Sequence, residues 1–124
     1  MINNKIYQEI YDELSKYLHP DWEKFIVYLE YGNASYSFSF YIGLRDEYVK
    51  CYDLPNVTEN DLAMSFKKID KIISEERNKE KSEPWTNMTM IVSKAGNMHV
   101  DLDYTDLSEG TYQFKKNWKK KYLK

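Results

Sequence analysis

The 124 residues predict an α+β protein, with helices packed on an antiparallel sheet of about five strands in the order α-β-β-β-α-β-β-α. Three observations carry that prediction. Apolar residues recur every four positions near the amino terminus, apolar and small polar residues alternate strictly over 35–44, and a charged stretch with helical spacing separates that block from a second strand-like one. The length suits one domain spanning residues 1–124.

Ile6, Ile10, Leu14 and Leu18 form the first stripe, widened by Tyr7, Tyr11 and Tyr17, with Asn3 or Asn4 placed as its cap. Pro20 disfavours helical geometry at His19, so the helix stops about there. From Glu23 to Tyr31 the run Phe25-Ile26-Val27-Tyr28-Leu29 has no polar break and reads as a mostly buried strand, ended by Gly32-Asn33. Tyr36, Phe38, Phe40, Ile42 and Leu44 then alternate with Ser35, Ser37, Ser39, Tyr41 and Gly43, the period of a strand with one packed face. Arg45-Asp46-Glu47 turns the chain into a third strand around Tyr48 to Tyr52, which completes a meander.

Thr58-Glu59-Asn60-Asp61 resembles a capping box, with Asp61 where Glu or Gln is usual. The helix it opens buries Leu62, Phe66, Ile69 and Ile73, turns its lysines and glutamates to solvent, and frays near Lys79 to Glu83. Pro84 closes that region and a hairpin starts at Trp85. A three-residue loop, Ala95-Gly96-Asn97, sets Val92 opposite Val100, Met90 opposite Leu102 and Met88 opposite Tyr104. Ser93, Ile91 and Thr89 then oppose His99, Asp101 and Asp103, so the hairpin has a buried side and an acidic side. Phe114, Trp118 and Tyr122 mark a last short helix whose lysines lie off that stripe.

Composition narrows the function classes. The chain is 42% hydrophobic, 31% charged and 16% aromatic, so rings carry much of the burial. Residues 111–124 hold six lysines and no acid, which leaves twelve basic against twenty acidic side chains, a balance of −8, on residues 1–110. An acidic body opposes a polyanion, so nucleic acid is not the expected partner; a small nucleic-acid-binding or regulatory module using the lysine-rich helix is the alternative reading. The amino terminus has no cationic region followed by an apolar run, and no stretch approaches the roughly 20 apolar residues of a membrane span, so a cytoplasmic location is expected. Cys51, the lone cysteine, reads as a small hydrophobe in a strand.

The chemically suggestive cluster is His99-Val100-Asp101-Leu102-Asp103-Tyr104-Thr105-Asp106. Strand alternation puts His99, Asp101 and Asp103 on one face, a spacing open to a hard cation or a transition metal. Metal cages draw ligands from several segments, and no second set with ligand spacing is evident, so a solvated strand face with Asp106 capping a turn is the plainer reading. A general acid and base need separate environments to split their pKa values, which two adjacent carboxylates on an open strand lack. There is no glycine-rich phosphate loop and no serine singled out as a nucleophile. The expectation is a non-enzyme without cofactor or metal that binds another protein. The lysines of the last helix read as solubilising charge that suits a helix C-terminus.

Trp22-Glu23 before an aromatic strand, Glu83-Pro84-Trp85-Thr86 after a long charged helix, a hairpin turning at Gly96, then Asp101-Leu102-Asp103-Tyr104 and Trp118 to Tyr122 follow one another in this order. The arrangement resembles the YezG-like immunity proteins, which include the EsaG-like antitoxins, over nearly the whole chain. That resemblance implies a cytoplasmic bacterial antitoxin that binds and neutralises the toxic domain of a polymorphic toxin, often a nuclease exported by a type VII secretion system. A nuclease cleft is basic, so the partner-binding residues expected on physical grounds are Asp101, Asp103 and Asp106, with His99 beside them, while Trp85 is structural.

Overall fold

The computed structural model describes residues 4–32, 35–55, 57–79, 84–108 and 110–123. Helix α1 (Asn4–Leu14) runs into a 3-10 turn at Ser15–Tyr17, and Leu18 is already extended, one residue before the expected stop. Strands β1 (Lys24–Gly32), β2 (Ser35–Leu44) and β3 (Glu47–Lys50) form the meander. Helix α2 (Glu59–Asn78) follows, then the hairpin β4 (Asn87–Ser93) and β5 (Met98–Asp103), and finally α3 (Tyr112–Tyr122). The expected cap at Asn3 and most of the expected fraying segment, residues 80–83, lie outside the described residues.

All five strands form one antiparallel sheet in the order β3-β2-β1-β4-β5. The meander and the hairpin join through β1 and β4, so β1 is central. Its residues Phe25 to Leu29 are all buried, which requires cover on both faces of the sheet. Phe25, Val27 and Leu29 belong to the main core, with Phe38, Phe40, Ile42, Met88, Met90 and the inward stripes of α1 and α2. Ile26 and Tyr28 point the other way and pack with Tyr41 and Trp118 beneath α3. Three layers result: α1 and α2, the sheet, and α3.

Two local details differ from expectation. The third strand ends at Lys50, and Cys51 lies in a 3-10 turn, Cys51–Asp53, rather than in a strand. Its thiol is buried, and that burial pushes its pKa up, away from a reactive thiolate. The hairpin loop is three residues long but comprises Lys94-Ala95-Gly96, one position earlier than expected, so Met88 opposes Leu102, Met90 opposes Val100 and Val92 opposes Met98. Gly96, at φ 95°, decides this. A type I turn followed by a left-handed residue puts the glycine last in such a loop, not in its centre. The slip moves each pairing by two residues, so every side chain keeps its expected face.

The capping box is present in both halves. The Asp61 amide donates to Thr58 Oγ1 at 3.0 Å and the Thr58 amide to Asp61 Oδ2 at 3.4 Å. Thr58→Ala removes the first of these bonds and is expected to cost about 1 kcal/mol, read from a urea midpoint shift at constant slope. No shift would show that α2 is held by packing alone. Helices α1 and α2 are tied by Ser65 Oγ, which donates to Glu13 at 2.9 Å and lies 2.7 Å from the Tyr17 hydroxyl.

Candidate functional site

The acidic side of the hairpin lies partly under α3. Direct pairing places Asn87 with Asp103, Thr89 with Asp101 and Ile91 with His99 on one face of β4 and β5. The expectation of an open, solvated strand face is corrected here: the Phe114, Trp118 and Tyr122 stripe crosses to this face because β1 exposes Ile26 and Tyr28 on it. Trp118 is the anchor. Its ring lies 5.0 Å from that of Tyr28, 5.6 Å from Tyr41 and 5.3 Å from Tyr122, and its Nε1 donates to buried Thr89 Oγ1 at 2.9 Å.

Between α3 and the hairpin remains a cleft of about 380 Å³. Asn87, Thr89, Asp101 and Asp103 line it from the sheet, and Phe114, Asn117, Trp118, Lys121 and Tyr122 from the helix. Asp101 accepts from the Tyr122 hydroxyl on Oδ2 at 2.7 Å, and His99 Nε2 stands 2.7 Å from its Oδ1. Asp103 Oδ2 accepts from Asn87 Nδ2 at 2.9 Å and from the Thr105 amide at 3.2 Å. Asp106 is exposed on the loop beyond β5, where its Oδ1 accepts from the Ser108 amide at 2.9 Å. The structure therefore brings His99, Asp101 and Asp103 together, and sets Asp106 three residues past the end of the strand.

The electrostatics keep this strip charged. Partial burial pushes the Asp101 carboxyl up, but hydrogen bonds from Tyr122 and His99, with the charges of His99 and Lys121, outweigh it and hold the acid below its ordinary range. Burial opposes ionisation at Asp103 as well, and the bonds from Asn87 and Thr105, aided by Lys121, again prevail. The Ser108 bonds lower the pKa of Asp106. Tyr122 moves the opposite way, up to about 12, through burial and its bond to Asp101, so its hydroxyl remains a donor at neutral pH.

Two lysines of α3 lie against the acidic sheet while remaining open to solvent: Lys121, exposed, lines the cleft, and half-buried Lys115 brings its Nζ to 4.0 Å from Glu30. Lys116, Lys119 and Lys120 are exposed. The reading of these lysines as solvent-facing charge thus holds for the helix apart from half-buried Lys115. Among the described residues no three His, Cys, Asp or Glu side chains are grouped to hold a metal ion, and no helix is long and apolar enough to cross a membrane.

Reasoning from sequence placed Thr89 on this face but missed Asn87, Asn117 and Lys121 as walls of the cleft around the aspartates. A signal for the missing layer was present. An unbroken apolar run such as Phe25 to Leu29 needs apolar cover on both faces, and the Phe114, Trp118 and Tyr122 stripe is suited to provide the second.

The chain matches the family model described as "Immunity protein YezG-like" over residues 3–124. It is also similar to Immunity protein YezG of Bacillus spizizenii, with 26% identity over 110 residues, covering 82% of this chain and 68% of that protein.

Proposed function

Because the chain belongs to the YezG-like immunity protein family, we propose that it is an antitoxin that binds the toxic domain of a cognate secreted toxin, a nuclease, in the cytoplasm, and blocks it by occupancy rather than catalysis. The toxin in this reading is of the type VII secreted kind. One observation carries the choice of surface: Asp101 and Asp103 are held ionised at the mouth of an aromatic-walled cleft by fixed hydrogen bonds. Acids ordered in advance lose little side-chain entropy on meeting a basic nuclease cleft, and their field accelerates encounter. Asp106 and His99 extend the strip on either side. Tyr104, half exposed beside it, supplies an aromatic contact of the kind that anchors interfaces.

The test is the affinity for the purified toxin domain of the Asp101→Asn/Asp103→Asn variant, which keeps the side-chain shape and one acceptor oxygen on each residue while removing the charge and turning the second oxygen into an amide donor. Binding is expected to weaken about 10- to 100-fold and its salt dependence to flatten. Unchanged affinity in a folded variant would move the contact elsewhere.

The exposed Lys116, Lys119 and Lys120 favour, as a second reading, a nucleic-acid contact through α3. Replacing these three with Gln should abolish a gel shift on that reading and leave toxin binding intact.

A further inference from the structure

Strand β5 is an edge of the sheet, and its chemistry is self-complementary. The Asn97 and Asp103 carbonyls accept from the Ser93 and Thr86 amides, so the odd-numbered residues of β5 direct their backbone groups to β4. Alternation then turns the N–H and C=O groups of Met98, Val100 and Leu102 outward, a ladder about 20 Å long with no strand paired to it among the described residues. The other edge, β3, has only four residues, Glu47–Lys50.

We propose that β5 pairs antiparallel with β5 of a second copy of this chain about a twofold axis at Val100, making one continuous sheet of two subunits. In that register Val100 meets its own copy, Met98 meets Leu102, His99 meets Asp101 and Asn97 meets Asp103. Every apolar residue faces an apolar one and every carboxylate faces a nitrogen donor. The neighbouring registers lose this: an axis at His99 sets the two imidazoles against each other, and an axis at Asp101 sets carboxylate against carboxylate, which is unfavourable for directly opposed strand residues. Met98, 38% exposed, and half-buried Val100 and Leu102 gain cover from the partner on the α1 face. An isologous contact of this kind closes at two copies. A seam of one strand is small, so the association is concentration-dependent.

The pairing uses the backbone edge of the free protein and does not rest on the toxin reading. Sedimentation equilibrium of the unmodified chain from about 5 to 500 µM should show the weight-average mass rising from 15.0 kDa toward twice that value. Opposed Cα atoms in a hydrogen-bonded pair are about 5.5 Å apart, within disulfide reach. Val100→Cys in a Cys51→Ala background should therefore form a disulfide-linked dimer under mild oxidation, whereas Leu102→Cys, which would face Met98, should not. A monomeric mass at every concentration overturns the proposal. So does a dimer that cross-links through position 102 but not through position 100.

Discussion

Trp85→Ala is expected to lower the unfolding free energy by about 3–5 kcal/mol, a large loss for a single truncation in the main core. Trp85 is fully buried just ahead of β4, with its ring edge-on to Tyr31 at 5.6 Å. The Arg77 guanidinium lies 4.5 Å from the Tyr31 ring centre and 5.4 Å from that of Trp85, and Arg77 Nε donates to the Trp85 carbonyl. Tyr31 in turn donates to Asp70 at 2.7 Å, so the indole supports a seam that ties the end of α2 to β1 and to the start of β4. Truncation leaves a cavity and removes the aromatic seat of a cation. The indole Nε1 is buried without a hydrogen-bond partner among the described residues. Trp85→Phe therefore forfeits volume but no hydrogen bond, and should cost no more than about 1.5 kcal/mol. Chemical denaturation of both variants decides the matter; equal losses would mean that the indole N–H contributes after all, and a loss below about 1 kcal/mol for alanine would contradict the packing described.

Trp118→Ala is the second expected large effect, and its character is different. Helix α3 has eleven residues, no side-chain cap at Thr111 and three lysines in its last turn. A helix of that length is marginal in water by itself, so docking through Trp118 holds it. Removing the indole loses its three ring contacts and leaves the hydroxyl of buried Thr89 without its donor, together about 3–5 kcal/mol. Because the main core lies on the opposite face of the sheet, the loss is expected to appear first as local opening. Amide exchange across 112–122 should accelerate while β1, β2 and β4 stay protected. Uniform acceleration over the sheet would instead show that the two layers unfold as one unit. Opening of α3 would also release Tyr122 from Asp101 and unmake the cleft, so on the proposed binding surface toxin affinity in this variant should fall together with α3 protection.

The local elements were legible because each is written in neighbouring residues. The Thr58 and Asp61 box opens α2, strict alternation over 35–44 gives β2 its two faces, and Pro20 stops the first helix in concert with an extended Leu18. The position of Gly96 in its loop was less legible, since both candidate loops have three residues and only the left-handed backbone at the last position separates them. Within the candidate site, alternation alone grouped His99, Asp101 and Asp103. It gave no account of Asn87 and Tyr122, whose hydrogen bonds fix those carboxylates from another strand and from a helix.

Periodicity, caps and turn residues thus determined the number, kind and order of the elements, since those depend on side chains a few positions apart. Tertiary structure alone decided that β1 joins the two strand blocks and that α3 crosses to the face α1 and α2 leave open. Both choices are made by burial between segments distant in sequence. The apolar second face of β1 is covered only when the Trp118 stripe reaches it, and the acidic side of the hairpin becomes a walled cleft because it shares that face.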